Sequence, residues 1–162
     1  MKRAVFLDRD NTLIEDNGYI HEPEKVKLLP TVGEGLKLLK EKGFLLIVIS
    51  NQSGIGRGYF KEKDFHAVNR KLNYLLKENF NVEIDDFFFC PHKPDDNCSC
   101  RKPKTLLFQK AAEKWNIDIK ASFMVGDKEI DVEAGKNAGC KKSFLVKEKL
   151  FMDIVKEILK EV

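Results

Sequence analysis

The sequence lacks the features that mark membrane and secreted proteins. Its longest apolar run covers only residues 44–49, whereas a membrane-spanning helix needs about 20 apolar residues. Residues 1–8 lead directly from the initiating methionine into a predicted strand, which leaves no room for a signal peptide. We therefore expect a cytoplasmic protein with no membrane partner.

The sequence also lacks an excess of charge of one sign. It carries 29 Lys and Arg against 26 Asp and Glu, a net charge of +3, and the basic residues are scattered among acidic ones. A nucleic-acid partner would require a dense basic face, so none is expected. With 162 residues, 43% of them hydrophobic, and no internal repeat, the chain is predicted to form a single domain spanning residues 1–162. We expect it to be a monomer.

Cysteine is scarce, and three of the four cysteines lie in one loop. The pattern is Cys90-Pro91-His92, a five-residue spacer, and Cys98-Ser99-Cys100. In a reducing compartment such a cluster favours a metal over disulfides, and three thiolates with one imidazole suit tetrahedral zinc. Because the protein would fill all four positions, we predict a structural zinc site; the alternative is a chance cluster of free cysteines. Cys140 stands apart and is predicted to be a small buried residue.

Two acids near the start of the chain follow a short apolar run. The run Ala4–Leu7 reads as a buried strand, and Asp8 and Asp10 come directly after it. Side chains at i and i+2 of an extended chain point the same way, so both carboxylates can face one site. Taken alone, this pattern could equally be a strand followed by an acidic turn.

The rest of the chain alternates apolar strands with amphipathic helices. Strands are predicted at residues 44–49, 86–89, 122–125 and 142–146, with helical periodicity between them and after the last. This alternation predicts an α/β fold, a three-layer, doubly wound parallel sheet. If strands 2 and 4 flank strand 1, the strand order is 3-2-1-4-5, and three strand-end loops meet at one crevice.

Polar residues typical of anion and metal binding lie in those loops. Ser50 and the amides that follow could form a nest for phosphate oxygens, although a serine at a strand end is usually a turn residue. Lys102 could supply a cation to the same phosphate, and Arg101 could bind a second anionic group. Asp131 lies one helical turn after Asp127 and can face the same way.

Four segments together resemble a known family. The segments are DRDNTL, ISNQSG, CRKPK and VGDKEIDVEAG, and in this order they resemble the motifs of the phosphatase branch of the haloacid dehalogenase superfamily over essentially the whole chain. The resemblance is strongest to its small capless members, the heptose bisphosphate phosphatases and the histidinol-phosphatases. It implies a capless haloacid dehalogenase-like (Rossmann-like) fold. One departure is Asn11, where the family usually has glycine; asparagine also tolerates a left-handed backbone.

The resemblance implies a role for each matching residue. Asp8 would be the nucleophile and Asp10 the general acid and base, with Asp8, the backbone carbonyl of Asp10 and the carboxylate of Asp127 holding Mg²⁺. Asp131 could be a further ligand or could support the ligands from outside, and the second is favoured because one carboxylate already fills that side. The expected cofactors are therefore catalytic Mg²⁺ and structural Zn²⁺.

The resemblance implies that the substrate is a small-molecule sugar phosphate, most specifically a heptose 1,7-bisphosphate that loses one phosphate. Histidinol phosphate is the alternative substrate, and a binding or regulatory module without turnover is the alternative outside enzymes. The expected substrate-binding residues lie in the loops around the crevice and are Asp16, Asn17, Gly18, Tyr19, Ser50, Asn51, Gln52, Ser53, Arg57, Arg101, Lys102 and Lys128. Among them, Arg57, Arg101 and Lys128 are cations that could meet the second phosphate.

Overall fold

A computed structural model describes residues 1–162 and contains five strands and six α-helices. The strands are β1 Ala4–Leu7, β2 Leu45–Asn51, β3 Asp86–Cys90, β4 Phe123–Gly126 and β5 Lys142–Leu145. The helices are α1 Val32–Glu41, α2 Ser53–Gly56, α3 Glu62–Phe80, α4 Leu106–Trp115, α5 Glu129–Ala138 and α6 Phe151–Lys160. No helix is long and apolar enough to cross a bilayer.

All strands pair in parallel, in the order β3-β2-β1-β4-β5. The predicted order is thereby confirmed. β1 lies at the centre, with β2 on one side and β4 on the other, so the chain reverses its direction of winding next to β1. At such a point the loops after the two neighbouring strands diverge and leave a crevice.

The sheet separates two hydrophobic clusters of unequal size, because successive side chains of a strand point to opposite faces. Val5 and Leu7 belong to a cluster of 25 buried residues, which also includes side chains of α1, α3 and α6. Ala4 and Phe6 belong to a cluster of 11 buried residues, which also includes side chains of α4 and α5. The central strand is therefore apolar at every position, as a strand covered on both faces must be.

The long helix α3 shows how local sequence fixes an element. Buried side chains recur every three or four residues, at Phe65, Val68, Leu72 and Leu76, so one stripe faces the sheet. At its start the Asp64 carboxylate accepts a hydrogen bond of 2.8 Å from the backbone amide of Lys61. The helix ends at Asn81, in the left-handed conformation common at helix ends.

Strand β2 extends further than the sequence pattern predicts. Ser50 and Asn51 remain in the strand because they pair with Phe89 and Cys90 of β3. The prediction that this strand ends at residue 49 is therefore wrong: it ends at Asn51, and the short helix α2 follows after Gln52. This extension brings two polar side chains to the carboxyl edge of the sheet.

Candidate active site

A polar cleft lies at the carboxyl ends of β1, β2 and β4. Its volume is about 340 Å³, and only two of its 17 lining residues are hydrophobic. The lining residues are Asp8, Asp10, Asn11, Asp16, Gly18, Tyr19, Asn51, Gln52, Ser53, Gly54, Arg57, Pro94, Arg101, Lys102, Lys128, Ile130 and Asp131. The cleft therefore collects most of the predicted site residues; Asn17, Ser50 and Asp127 are not part of its wall.

Chemistry, and not size, distinguishes this cleft. A groove of larger volume, about 570 Å³, runs along α3 and β3, but none of its lining residues belongs to a cluster that could hold a metal ion. The cleft, in contrast, adjoins a cluster of three carboxylates from Asp8, Asp127 and Asp131, whose oxygens lie within 4.8 Å of one another.

The first carboxylate after β1 is strongly desolvated. The side chain of Asp8 is 13% exposed and accepts a hydrogen bond of 2.9 Å from Lys102 Nζ. Burial raises the pKa of Asp8 well above its usual range, the Lys102 ammonium opposes that rise, and Asp131 adds to it. A cation beside Asp8 would favour its ionised form.

The ammonium of Lys102 is buried and has three acceptors. Nζ donates to Asp8 Oδ1 at 2.9 Å, to the carbonyl of Ile49 at 2.7 Å and to Asp131 Oδ1 at 2.7 Å. Burial lowers the pKa of Lys102, but the carboxylates of Asp8 and Asp131 raise it more, so the net shift is upward. Lys102 is thus a fixed cation between two carboxylates.

Asp131 has partners for both of its oxygens. Oδ1 accepts the bond from Lys102, and Oδ2 accepts one of 3.1 Å from the backbone amide of Lys128 at the start of α5. The side chain packs directly on Gly126, where a Cβ atom would lie 2.2 Å from that of Asp131. Glycine at the end of β4 therefore permits this buried carboxylate.

The donor set fits Mg²⁺. Asp127 Oδ1 is buried and has no hydrogen-bond partner, a costly state for a carboxylate oxygen unless a cation meets it. Asp8 lies in the same cluster, and hard oxygen ligands are those that Mg²⁺ prefers. Both oxygens of Asp131 already accept hydrogen bonds, from Lys102 and from the Lys128 amide. The geometry therefore favours a role for Asp131 in supporting the site without binding the metal itself.

Asp10 is held by a residue that the sequence analysis missed. Arg9 is fully buried, and its Nε donates to Asp10 Oδ1 at 2.8 Å. Gln52 Nε2 donates to Asp10 Oδ2 at 3.1 Å and to Ser50 Oγ at 2.7 Å. A signal was available in the sequence, since an arginine between two residues that share one face should point away from that face and need a buried partner.

The end of β2 is fastened to the segment that carries Lys102. Asn51 Oδ1 accepts a bond of 2.9 Å from the Lys102 amide, and Asn51 Nδ2 donates to the Lys102 carbonyl at 3.3 Å. Although Asn51 lines the cleft, both ends of its side-chain amide are therefore engaged in holding this backbone.

The loop after β1 folds around one carboxylate. Asp16 Oδ1 accepts bonds from the backbone amides of Gly18 at 3.1 Å and Ile20 at 2.9 Å, and Asn11 Oδ1 accepts one of 3.0 Å from the Asp16 amide. Asn11 adopts a left-handed φ of 63°. The loop presents the exposed ring of Tyr19 at the cleft, 4.9 Å from the ring of Tyr59.

The predicted zinc ligands converge. Cys90 Sγ lies 3.3 Å from His92 Nδ1 and 3.5 Å from Cys98 Sγ, and His92 Nδ1 lies 3.3 Å from Cys100 Sγ. These separations are close to the edges of a tetrahedron around zinc, and a sulfur separation of 3.5 Å excludes a Cys90–Cys98 disulfide. Burial opposes ionisation of Cys98, but backbone amides and neighbouring thiols lower its pKa to about 6, which favours the ligating thiolate.

The loop that carries these ligands, residues 90–100, is bonded to the turn after β2. The Gln52 amide donates to the Cys90 carbonyl at 2.7 Å, and the Gly56 amide donates to the Pro91 carbonyl at 2.8 Å. A Cβ at Gly56 would lie 2.7 Å from that carbonyl oxygen, so the approach requires glycine. The cysteine cluster therefore sits directly beside the cleft.

Three cations of the cleft form no ion pair. They are Arg57, Arg101 and Lys128; Arg57 and Lys128 are exposed, whereas Arg101 Nη1 is buried without a partner. The only other basic side chain in the wall, Lys102, is already bound to Asp8 and Asp131. The free positive charge of the cleft is thus available to an anionic ligand.

Comparisons with known proteins show what the chain is similar to. Residues 8–139 match the model of the haloacid dehalogenase-like hydrolases. The D-glycero-beta-D-manno-heptose-1,7-bisphosphate 7-phosphatase of Haemophilus ducreyi is 44% identical over 90% of this chain and 84% of the relative. The D-glycero-alpha-D-manno-heptose-1,7-bisphosphate 7-phosphatase of Photorhabdus laumondii is 40% identical over 90% and 82%. The crystal structure of the D,D-heptose 1,7-bisphosphate phosphatase from B. bronchiseptica with magnesium and phosphate is 26% identical, with a TM-score of 0.86 over the full length of both chains.

Proposed function

The chain belongs to the haloacid dehalogenase-like hydrolases, and we propose that it removes the 7-phosphate of a D-glycero-D-manno-heptose 1,7-bisphosphate. The observation that supports this choice of substrate is the charge of the cleft. One phosphate would meet Asp8 and its metal, while Arg57, Arg101 and Lys128 remain free for the second phosphate of a bisphosphate. The buried, unpartnered Nη1 of Arg101 in particular needs an acceptor.

In the first step, a carboxylate oxygen of Asp8 attacks the phosphorus and forms an aspartyl-phosphate. The bond from phosphorus to the sugar oxygen breaks, and that oxygen takes the proton of Asp10. The Lys102 ammonium, 2.9 Å from Asp8 Oδ1, places a fixed positive charge where the transferred phosphoryl group would lie.

In the second step, Asp10 takes a proton from water and the water oxygen attacks the same phosphorus. The bond between phosphorus and Asp8 breaks, which releases inorganic phosphate and restores the Asp8 carboxylate. A Mg²⁺ held by Asp8, Asp127 and the Asp10 carbonyl would neutralise phosphate oxygens.

Zinc in the loop of residues 90–100 would have a structural role, because all four of its ligands come from the protein. It would brace the segment that delivers Arg101 and Lys102. We further propose that the protein acts as a cytoplasmic monomer of one capless domain, since one chain supplies every predicted site residue and the three zinc-binding thiols require a reducing environment.

The decisive experiment measures kcat/KM with Mg²⁺ for the heptose bisphosphate, histidinol phosphate and p-nitrophenyl phosphate. We expect the heptose bisphosphate to be hydrolysed with by far the highest kcat/KM. A higher value for histidinol phosphate would reverse the choice of substrate, and no turnover of any phosphomonoester would overturn the phosphatase itself. Comparing the two anomers would show which of them this chain prefers, since relatives are named for each.

A further inference from the structure

Arg9 has surroundings that are unusual for a charged side chain. It is 0% exposed and lies between the two acids that follow β1. Its guanidinium is stacked over the Phe65 ring, 4.9 Å from the ring centroid. Burying a guanidinium in this way costs free energy that even good pairing often fails to recover, so stability alone is a weak reason for its presence.

The hydrogen bonds of Arg9 converge on one carboxylate. Nε donates to Asp10 Oδ1 at 2.8 Å, and Nη2 lies 3.4 Å from Asp10 Oδ2. The guanidinium thus spans both oxygens of Asp10, and Asp10 is its only carboxylate partner. A planar fork of this kind fixes the plane of a carboxylate as well as its position, which a lysine ammonium cannot do.

The far side of the guanidinium is anchored on α3. Nη1 donates to Asn69 Oδ1 at 2.8 Å, and Asn69 is itself 5% exposed on the buried face of that helix. Asn69 Nδ2 has no partner, so the amide is held at this position chiefly by its bond to Arg9. The contacts form one chain from α3 to Asp10.

We propose that Arg9 is a positioning residue, which with Asn69 holds the Asp10 carboxylate where it can protonate the leaving sugar oxygen. This inference rests on the proposed phosphatase activity. Arg9 does not touch the substrate; it acts through the orientation of Asp10. Gln52, 3.1 Å from Asp10 Oδ2, fixes the same carboxylate from the side of the cleft.

The test uses two leaving groups that differ in their need for a proton. A sugar alkoxide is a poor leaving group and needs the proton of Asp10, whereas p-nitrophenolate is stable without one. The ratio kcat/KM covers every step up to departure of the leaving group, so it isolates this proton transfer from the later hydrolysis. A role in folding alone would lower kcat/KM equally for both substrates.

We expect Arg9→Met to lower kcat/KM for the sugar phosphate by about 100-fold, the scale of a misplaced catalytic group, and to lower that for p-nitrophenyl phosphate far less. Asp10→Asn should show the same selectivity with a loss of about 100- to 10,000-fold on the sugar phosphate. Arg9→Lys, which keeps the charge but not the fork, should fall between wild type and Arg9→Met.

Asn69→Leu provides an independent route if Arg9→Met fails to fold. It removes an amide nitrogen that has no partner but leaves Arg9 Nη1 without its acceptor, while Nε and Nη2 of Arg9 keep Asp10, so we expect a smaller loss of stability than in Arg9→Met. We expect the same selectivity with a smaller loss. The matched control is Arg70→Met, one residue further along α3, where the arginine is exposed and forms no ion pair. This variant should have the wild-type kcat/KM for both substrates.

Equal losses on both substrates in folded Arg9→Met or Asn69→Leu protein would overturn the positioning role, and so would wild-type kinetics on both. Either result would leave the phosphatase assignment intact. That assignment fails only if the wild-type protein itself hydrolyses neither substrate.

Discussion

The cleft of the candidate active site and the zinc loop lie side by side, yet they are assembled in opposite ways. The cleft joins side chains from three strand ends, with Asp8 and Asp131 held to the same lysine although they lie far apart in sequence. The zinc cluster takes all its ligands from one short stretch, residues 90–100, which begins with the last residue of β3. A cluster of the second kind can be recognised from spacing, whereas the partners within the first become visible only once the sheet order is known.

The two sites also differ in how their charges are satisfied. In the cleft, Lys102 and Arg9 already have carboxylate partners, while three other cations and one oxygen of Asp127 have none. In the zinc loop, three thiols and an imidazole converge on one another, and none of them forms an ion pair. The cleft therefore has a partly completed electrostatic arrangement that a substrate and a metal would complete, while the thiols of the loop have no cation to pair with unless a metal binds there.

The largest expected effect separates chemistry from folding. Asp8→Asn should abolish turnover, because an amide cannot form the acyl phosphate. It should leave the fold intact, since burial already favours the uncharged form of this side chain. Phosphate release and a thermal melt measure the two effects. Wild-type rates would contradict the covalent mechanism. They would also contradict the view that the cleft performs the reaction while the zinc loop has a structural role.

The second prediction tests whether the zinc loop is structural. Purified protein should contain about one zinc per chain, and Cys98→Ser should lose it, with a lower melting temperature and an effect on KM larger than on kcat. Metal analysis and steady-state kinetics provide the measurements. Cys140→Ser, outside the cluster, is the control and should retain zinc. Protein made with zinc present that contains none would refute the site.

The third prediction concerns the unpaired cations. Arg57→Gln should raise KM for the bisphosphate by about 10-fold, the lower end for a hydrogen bond to a charged group, with a much smaller effect on p-nitrophenyl phosphate. Its guanidinium is exposed at the rim, so the fold should be unaffected. Arg70→Gln is the control for removing an exposed arginine outside the cleft. An equal rise in KM for both substrates would show that Arg57 does not meet the second phosphate.

The smallest effect is expected at Asn11. Asn11→Gly removes the bond to the Asp16 amide but relieves a left-handed backbone, so the free energy of unfolding should change by less than about 1 kcal/mol. The loop that presents Tyr19 should loosen, which would raise KM for the sugar phosphate by about 2- to 3-fold, equivalent to one weak hydrogen bond. Chemical denaturation and kinetics measure both, and an unchanged KM would show that the loop is held without Asn11.

The sequence was sufficient for the strand order because each strand is a short apolar run that ends in a recognisable polar motif. It was insufficient at the end of β2, where pairing with β3 keeps Ser50 and Asn51 extended despite the glycines that follow. Such pairing depends on a strand that lies about 40 residues later in the chain, and local propensity does not report it.

Within the cleft, the sequence singled out the acids that the fold brings together and missed the side chains that hold them. Lys102 was predicted to meet the phosphate; the structure shows in addition that it bridges Asp8 and Asp131 and that Asn51 holds its backbone. Arg9 and Asn69 were missed altogether. Besides the position of Arg9 between two acids that share one face, the polar Asn69 on the buried stripe of α3, next to Val68, was a sequence signal that a buried polar partner lay nearby.

The unequal clusters on the two sides of the sheet have a consequence for local opening of the native state. Helices α1, α3 and α6 share a cluster of 25 buried residues, whereas α4 packs on a cluster of only 11. Helix α4 also follows soon after the zinc loop and the segment with Arg101 and Lys102. Amide protons of α4 should therefore exchange with solvent through smaller fluctuations than those of α3. Loss of zinc would widen that difference, and the protein would begin to open on the side that delivers Lys102.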